Sequence, residues 1–207
     1  MKVLLLNGSC RTGGNTYLAL EELAKVLEAE GISAEIFQIG AKPVRDCIGC
    51  GRCAGKGLCV FDDDAVNEFI AKSREADGFV FASPVYFAHA DGRVLCFLDR
   101  AFYAGKSAFR HKPAAVLAVA RRAGTTATLD TLLKYPMIAE MPVVSSSYWN
   151  MIFGRDIGDV LKDEEGLQTL RNLGKNMAWI LKCVDAGRQN GIEAPKNSVD
   201  ARMNFIR

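Results

Sequence analysis

The sequence predicts a doubly wound α/β fold, in which helices cover both faces of a parallel sheet. Two short apolar runs, residues 4–6 and 78–82, have the composition of strands that are buried on both faces. Segments in which apolar residues recur with helical spacing alternate with such runs along the chain. This alternation builds a parallel sheet, for which we expect five strands in the order 2-1-3-4-5.

Each element follows from its own pattern of apolar and polar residues. The predicted helices cover about 16–30, a segment from 65 onward, 90–103, 127–139 and 165–188, and the predicted strands cover 4–6, 34–39, 78–82, 114–120 and 142–145. Three acidic residues, 62–64, precede the second helix and complement its dipole, so we interpret them as a cap and not as a metal site. Tyr135-Pro136 is expected to bend the fourth helix or to end it early.

The length of 207 residues suits one domain with a sizeable core. We assign residues 1–190 to this domain, with a cysteine-rich insertion at about 43–61, and residues 191–207 to a C-terminal tail. The net charge is only +2, from 26 basic and 24 acidic residues, and no basic block occurs. The chain is therefore not expected to bind nucleic acid or a membrane surface.

The N-terminal apolar run is too short for a signal peptide or a membrane span. The seven cysteines are an odd number in a chain without a recognisable export signal. Both observations favour a reducing cytoplasm, where a disulfide framework is not expected.

A loop of small and hydroxyl residues joins the first strand to the first helix. It lacks the Lys of a P-loop and the glycine spacing of a dinucleotide fingerprint. Hydroxyl groups, one Arg and the free N–H groups of a helix start suit a monoester phosphate, as in FMN. The candidate ligands are Ser9, Arg11, Gly14, Asn15 and Thr16. An ordinary strand-to-helix turn is the alternative.

Residues 8–11 and 14–16 resemble the Gly-Ser-Pro-Arg…Gly-Asn-Thr phosphate loop of the flavodoxin-like NAD(P)H-dependent FMN reductases, with Cys10 in place of the usual Pro. Residues 97–100 resemble the Phe-x-Asp-Arg helix of the same family, and we expect Asp99 and Arg100 to form a structural ion pair. The resemblance implies a flavodoxin-like fold, FMN as cofactor and NAD(P)H as a transient co-substrate.

Two later loops resemble the segments of this family that border the flavin ring. The cofactor-binding candidates that they supply are Ser83, Pro84, Val85, Tyr86, Phe87, Arg122 and Gly124. Core packing is the alternative for Tyr86 and Phe87, and a solvated surface is the alternative for Arg121 and Arg122. Residues 148–150, Tyr-Trp-Asn, also match the family, where packing, a subunit contact and substrate stacking all stay open.

Four cysteines lie within thirteen residues, in the pattern Cys-x2-Cys-x2-Cys-x5-Cys. Thiolates spaced in this way can reach different corners of a cubane. Zinc is the alternative metal, although its usual ribbon separates two Cys-x2-Cys pairs by a longer loop, and thiols without a metal are a further alternative. The run resembles the compact motif of the iron-sulfur flavoproteins, which implies a [4Fe-4S] cluster bound by Cys47, Cys50, Cys53 and Cys59.

The function that we predict is an FMN-dependent oxidoreductase that passes electrons between NAD(P)H or a reduced ferredoxin and a small acceptor such as a quinone. No side chain is expected to be catalytic, because the cofactor carries the chemistry. An electron carrier or redox sensor without a dedicated substrate is one alternative, and a zinc-stabilised binding domain without flavin is another. A homodimer or homotetramer is expected, since in the relatives the cluster of one subunit lies near the flavin of another.

Overall fold

The structure, a computed structural model, describes residues 1–201. Its strands are β1 (Lys2–Asn7), β2 (Ser33–Gln38), β3 (Gly78–Tyr86), β4 (His89–Ala90), β5 (Ala114–Ala120) and β6 (Met151–Phe153). Its α-helices are α1 (Asn15–Ala29), α2 (Val66–Glu75), α3 (Gly92–Phe109), α4 (Thr125–Ile138) and α5 (Glu164–Gln189), and a 3-10 turn covers Asp159–Lys162. Within this part of the chain, no helix is both long enough and apolar enough to cross a bilayer.

The sheet has the order β2-β1-β3-β5-β6, and all of these strands run parallel. Counted among the parallel strands alone, this is the predicted order 2-1-3-4-5, and the predicted fold class is confirmed. The sheet also has a sixth strand, the two-residue β4, which folds back antiparallel on the end of β3. The sequence did not predict this strand. Strands β1 and β3 are neighbours, so the loops that follow them open at the same edge.

The last parallel strand lies later in the chain than predicted. Val143 makes only an isolated bridge to Ala114, and the strand forms at Met151–Phe153 instead. The reason is a tether to α5, where Asn176 donates a hydrogen bond to Ser145 O at 2.9 Å and Asn172 donates one to the Ser147 hydroxyl at 2.8 Å. These bonds hold the chain away from the sheet edge for several residues.

Alternate residues of the central strands enter two separate cores. Leu4 and Leu6 point to the face covered by α2, α3 and α4, whereas Val3 and Leu5 point to the face covered by α1 and α5. The first core is aromatic and contains Phe37, Phe69, Phe79, Phe81, Phe97, Phe102 and Phe109. Strands β1 and β5 are buried on both faces, as their unbroken apolar runs predict.

Helix α4 continues through Pro136 and ends two residues later, at Ile138. The proline therefore lies in the last turn of the helix. The residues beyond α5 contain no helix or strand as far as 201, and Pro195 O lies 3.1 Å from His111 Nε2. The predicted tail also includes residues 202–207, which lie outside the described part of the chain.

Helices α1 and α5 approach each other at a glycine. A Cβ atom at Gly174 would lie 2.8 Å from Val26 Cγ1 and 3.2 Å from Leu23 Cδ1, closer than side-chain atoms normally pack. A Cβ atom at Gly187, in the same helix, would lie 3.7 Å from its nearest neighbour, which is ordinary contact.

We predict that Gly174→Val destabilises the protein by about 1–3 kcal/mol, because the added methyl groups force the two helices apart. The matched change Gly187→Val should alter the free energy of unfolding by less than about 0.5 kcal/mol. Urea denaturation followed by circular dichroism measures both. Equal effects of the two changes would contradict the close α1–α5 contact.

Candidate functional site

The loop after β1 is fixed by groups from neighbouring strands. Gly8 N donates to Ala82 O at 2.9 Å, and the amide of Gln38 donates to Ser9 O. A Cβ atom at Gly8 would overlap Val94 and Ala82, so only glycine fits at this point. The loop is therefore held in place by the sheet itself.

Helix α1 begins at this loop without a side-chain cap. Gly14 occupies the N-cap position and the first turn contains no acidic residue. The Ser9 hydroxyl accepts from Arg11 N at 3.1 Å, and Thr16 is buried in the first turn. The exposed Arg11 side chain makes no hydrogen bond or ion pair within residues 1–201. Uncapped N–H groups beside a cation form a site for an anion.

The side chain of Asn15 forms hydrogen bonds to the loop after β6. Its Nδ2 donates to Asp156 O at 3.0 Å, and its Oδ1 accepts from Gly158 N at 2.9 Å. Each polar atom of this side chain thus already has a protein partner. Asn15 joins the start of α1 to the loop after β6 and shapes the wall of the site.

The end of β3 supplies the second side of the site. Ser83 is buried, and its hydroxyl donates to Pro84 O at 2.8 Å and accepts from Asp91 N at 3.0 Å. Its side chain is therefore structural, whereas Pro84 and Val85 are half-buried and partly open to solvent.

Beyond Val85 the chain makes a tight hairpin with strained residues at its tip. Phe87 and Ala88 both have positive φ, 49° and 59°, the pattern of a type I′ turn that usually carries Asn or Gly. A Cβ atom at Gly124 would overlap Ala88, so the loop after β5 packs against this tip. Phe87 is fully exposed and Tyr86 is 44% exposed, which rules out core packing for both rings.

The loop after β1 and the hairpin after β3 approach each other at Cys10 and Tyr86. Burial raises the pKa of the Tyr86 phenol, and the neighbouring Cys10 and Asp91 raise it further. His89, which follows the hairpin tip, lies with its Nε2 2.9 Å from the Thr131 hydroxyl. The hairpin is thus anchored to α4 as well as to the loop after β5.

Arg121 and Arg122 follow β5 at the same edge of the sheet, and both are exposed. In the described part of the chain, neither side chain makes a hydrogen bond or an ion pair. Arg11, Arg121 and Arg122 thus follow strands that end at the same edge of the sheet.

The cysteine-rich segment forms a separate pocket. Cys47, Cys50, Cys53 and Cys59 all line it, and all four are free thiols. Across residues 1–201, no three side chains among Cys, His, Asp and Glu converge closely enough to hold a metal ion. The four thiols that could ligate a cluster therefore surround one pocket, but their sulfur atoms do not converge on a single point.

Arg100 lies at the base of this pocket and is only 1% exposed. Its guanidinium donates to Cys59 Sγ at 3.4 Å, to Phe61 O at 2.9 Å, to Arg45 O at 3.3 Å and to the Asp64 carboxylate. Burial alone would lower the pKa of Arg100, but its bonds to Cys59 and Asp64 raise it. The cation fixes the two ends of the cysteine-rich segment.

The expected ion pair between Asp99 and Arg100 is wrong. Consecutive residues of a helix point in directions about 100° apart, so their side chains do not face each other. Asp99 instead accepts a hydrogen bond from the Tyr135 hydroxyl at 2.6 Å, and Arg100 pairs with Asp64. Asp64 also accepts from Val66 N at 3.1 Å, which is the helix-capping role that the sequence predicted.

Two further contacts shape the thiol environment. Asn67 accepts from Cys59 N at 2.8 Å and donates to Cys59 O at 2.9 Å, a role that no feature of the sequence signals. A hydrogen bond from Arg52 N–H lowers the pKa of the Cys50 thiol, which favours the thiolate that metals require. Outside the pocket, Cys183 is an exposed free thiol on α5.

Comparison with known proteins identifies the family. The model of the NADPH-dependent FMN reductase family matches residues 1–156, three quarters of the chain. The chain belongs to this family. Within it, an iron-sulfur flavoprotein of Methanocaldococcus jannaschii is 34% identical over 193 residues, which cover 89% of this chain and 99% of the relative.

A second iron-sulfur flavoprotein, from Methanosarcina thermophila, is 27% identical and covers 91% of this chain and 99% of its own length. The predicted reductase family and its iron-sulfur flavoprotein branch are thus confirmed. Among solved structures, a flavodoxin, WrbA-like protein from Agrobacterium tumefaciens superposes with a TM-score of 0.63 at 16% identity, covering 88% of this chain and 98% of that one. This match supports the flavodoxin-like fold alone.

The Arg100–Asp64 pair yields a prediction for the order of the cysteine-rich segment. Asp64→Asn should destabilise the protein by about 3 kcal/mol, because it leaves a buried guanidinium without its counter-charge. Asp63→Asn removes an exposed pair with Arg45 and should leave stability nearly unchanged.

Urea denaturation gives the stability of both variants, and limited proteolysis after Arg45 and Arg52 reports whether the cysteine-rich segment has loosened. Asp64→Asn should be cut faster than Asp63→Asn. If both variants unfold at the same urea concentration and are cut at the same rate, the Arg100 account is wrong.

Proposed function

We propose that this reductase carries electrons between NAD(P)H, or a reduced ferredoxin, and a small acceptor such as a quinone, through FMN and a [4Fe-4S] cluster. The observation that carries the proposal is the arrangement at the carboxyl edge of the sheet. There the uncapped start of α1 and the exposed Tyr86–Phe87 hairpin follow the adjacent strands β1 and β3. A phosphate suits the first feature, and a planar ring suits the second.

The phosphate end of FMN would be held by the loop after β1. The first-turn N–H groups of α1, the Ser9 hydroxyl and the Thr16 hydroxyl would donate hydrogen bonds to it, and Arg11 would supply the opposite charge. A Cβ atom at Gly14 would lie 3.0 Å from Arg11 Cβ, so glycine relieves crowding in this loop and leaves the backbone N–H groups open to a phosphate. Asn15 contributes by fixing the loop to Gly158.

The ring end of FMN would lie against the hairpin. A fully exposed Phe87 on a strained turn gains apolar burial when a planar ring covers it. Pro84, Val85 and Tyr86 would border the same ring, and Gly124 with Arg122 would border its polar side, where a cation favours the reduced form. When bound, FMN supplies electron transfer singly or in pairs.

The four cysteines would ligate the cluster. The residues present are of the type that ligates an iron-sulfur cluster, because four free thiols surround one pocket. The Arg100 N–H also donates a hydrogen bond to the sulfur of Cys59. Hydrogen bonds to ligand sulfurs stabilise the thiolate and tune the potential of such centres. The lowered pKa of Cys50 favours ligation for the same reason. The cluster would supply a one-electron relay.

NAD(P)H would bind transiently, since the chain carries no separate dinucleotide fingerprint. Self-association as a homodimer or homotetramer is part of the proposal. Ile48 and Tyr103 are exposed apolar residues beside the cysteine pocket, and Trp179 is exposed on α5. A second subunit that covered such residues would shield the cofactors from solvent.

The phosphate assignment is tested by comparing FMN with riboflavin, which lacks the phosphate. Arg11→Met should weaken FMN binding by about tenfold or more, because it removes a charge-assisted contact, and should leave riboflavin binding within about twofold. The control Arg188→Met removes an exposed arginine at the end of α5. Titration of apoprotein by flavin fluorescence gives both affinities. Equal losses for FMN and riboflavin would show that Arg11 does not bind phosphate.

The cluster is tested by metal content after anaerobic purification. We expect about four iron and four sulfide per chain, and a clear loss of both in the single Cys→Ser variants at positions 47, 50, 53 and 59. Cys183→Ser, which removes an exposed thiol far along α5, should leave the iron content unchanged. Zinc in place of iron, or iron that survives all four changes, would exclude the cluster while leaving the flavin proposal standing.

A further inference from the structure

A second pocket lies outside the proposed FMN and cluster sites and shares none of their residues. It runs along the outer edge of β5, between α4 and the segment 143–150. Its walls are apolar, from Val116, Leu129, Leu133 and Val143, and Tyr148 and Trp149 stand at its rim. Nothing in the flavin chemistry proposed above uses it.

At the bottom of this pocket lies a part of the β5 edge where the hydrogen bonding of the sheet is interrupted. The even-numbered residues of β5 direct their backbone groups to this edge, where Ala114 N donates to Pro142 O at 2.9 Å and Ala118 N donates to Asn150 O at 3.0 Å. Between them, no backbone hydrogen bond joins Val116 to the segment 143–150 within the described residues. Val116 is only 3% exposed, and within residues 1–201 neither its N–H nor its C=O has a hydrogen-bond partner on this side of the sheet.

Asn150 adds a third unpaired group to the same pocket. Its side chain is 8% exposed, and its Oδ1 is buried without a hydrogen-bond partner. The buried polar groups of the pocket that lack a partner are thus one donor, Val116 N–H, and two acceptors, Val116 O and Asn150 Oδ1. Buried polar groups without partners are rare in folded proteins, and they point to a ligand that pairs with them.

The size of the gap limits what can pair with it. Ala114 and Ala118, on either side of Val116, already have partners, so a peptide strand cannot add along this edge. The gap is therefore limited to the N–H and C=O of one residue, which a single amide can pair with. A primary carboxamide has one carbonyl acceptor and two N–H donors, which complements one donor and two acceptors.

The charge of the pocket selects against anions. Asp130 is the one charged residue among its lining residues in the described structure, and no Lys, Arg or His joins it. A carboxylate or phosphate would have no counter-charge there and would face Asp130. The aliphatic walls and the paired aromatic rings of Tyr148 and Trp149, 4.7 Å apart, suit a flat apolar body.

We propose that this pocket binds a neutral aromatic carboxamide. Its carbonyl accepts from Val116 N–H, its amino group donates to Val116 O and to Asn150 Oδ1, and its ring packs between Leu129 and Leu133. The ligand is a small molecule without phosphate or carboxylate groups. The proposal does not depend on the proposed function, because the pocket is built from β5, α4 and the segment 143–150 alone.

The test is isothermal titration of the purified flavin-bound protein with benzamide, and with benzoate as the matched anion. Benzamide should bind, and benzoate should bind at least about tenfold more weakly. Asn150→Leu should weaken benzamide by about tenfold or more, because it leaves an N–H of the ligand unpaired. Leu133→Trp should abolish binding by filling the pocket. Asp130→Asn should strengthen benzoate while leaving benzamide nearly unchanged.

Melting temperature and flavin content of each variant report whether the fold is kept, and the wild-type comparison of the two ligands needs no variant. Absence of benzamide binding would mean that water alone pairs with these groups, and it would overturn the proposal. Equal affinity for benzamide and benzoate, or binding that survives Leu133→Trp, would also overturn it.

Discussion

The buried guanidinium of Arg100 is the contact on which the cysteine-rich region depends. This part of the chain, from the end of β2 to the start of α2, contains no helix or strand to hold it. In place of the backbone hydrogen bonds of a helix or strand, Arg100 donates hydrogen bonds to Arg45 O, Phe61 O, Cys59 Sγ and the Asp64 carboxylate. A buried cation with four partners is stable only when all of them are present, so the pocket and the start of α2 are ordered together.

The order of the sheet imposes the other constraint, on the carboxyl edge where the loops after β1, β3 and β5 meet. Because β1 lies between β2 and β3, the loops after β1 and β3 open side by side, and the loop after β5 lies next to them. Glycines allow these loops to touch: Gly8 packs against Val94, and Gly124 packs against the Phe87–Ala88 turn. The exposed aromatic hairpin and the open start of α1 are therefore placed by the fold before any cofactor binds.

Much of this architecture could be predicted from local pattern. The apolar runs of β1, β3 and β5 and the apolar spacing of α1 and α5 indicate their elements within a few residues, because burial on both faces or on one stripe leaves a clear periodicity. Strand β6 was misplaced because Val143 and Val144 look like a strand by composition, whereas bonds from Asn172 and Asn176 decide where the chain leaves the edge. Such contacts between distant residues have no local signal.

The candidate sites divide in the same way into features that local sequence predicts and features that depend on distant contacts. The loop after β1 and the four cysteines stand out in the sequence, and in the structure they lie at two separate points of the fold. The partner of Arg100, the paired amide of Asn15 and the structural role of Ser83 could not be predicted, since each depends on which side chain lies opposite in three dimensions. The hairpin tip was hidden as well, because Phe87 and Ala88 adopt positive φ without the Asn or Gly that normally announces it.

The central claim is that one chain binds FMN at the carboxyl edge of its sheet and an iron-sulfur cluster at the cysteine pocket. A crystal structure of the anaerobically purified protein, with diffraction data on both sides of the iron absorption edge, tests it most directly. The account predicts a phosphate against the first turn of α1, a flavin ring over Tyr86 and Phe87, and an iron signal among Cys47, Cys50, Cys53 and Cys59. A flavin bound elsewhere, or a cysteine pocket without iron signal in a protein that contains flavin, would contradict it.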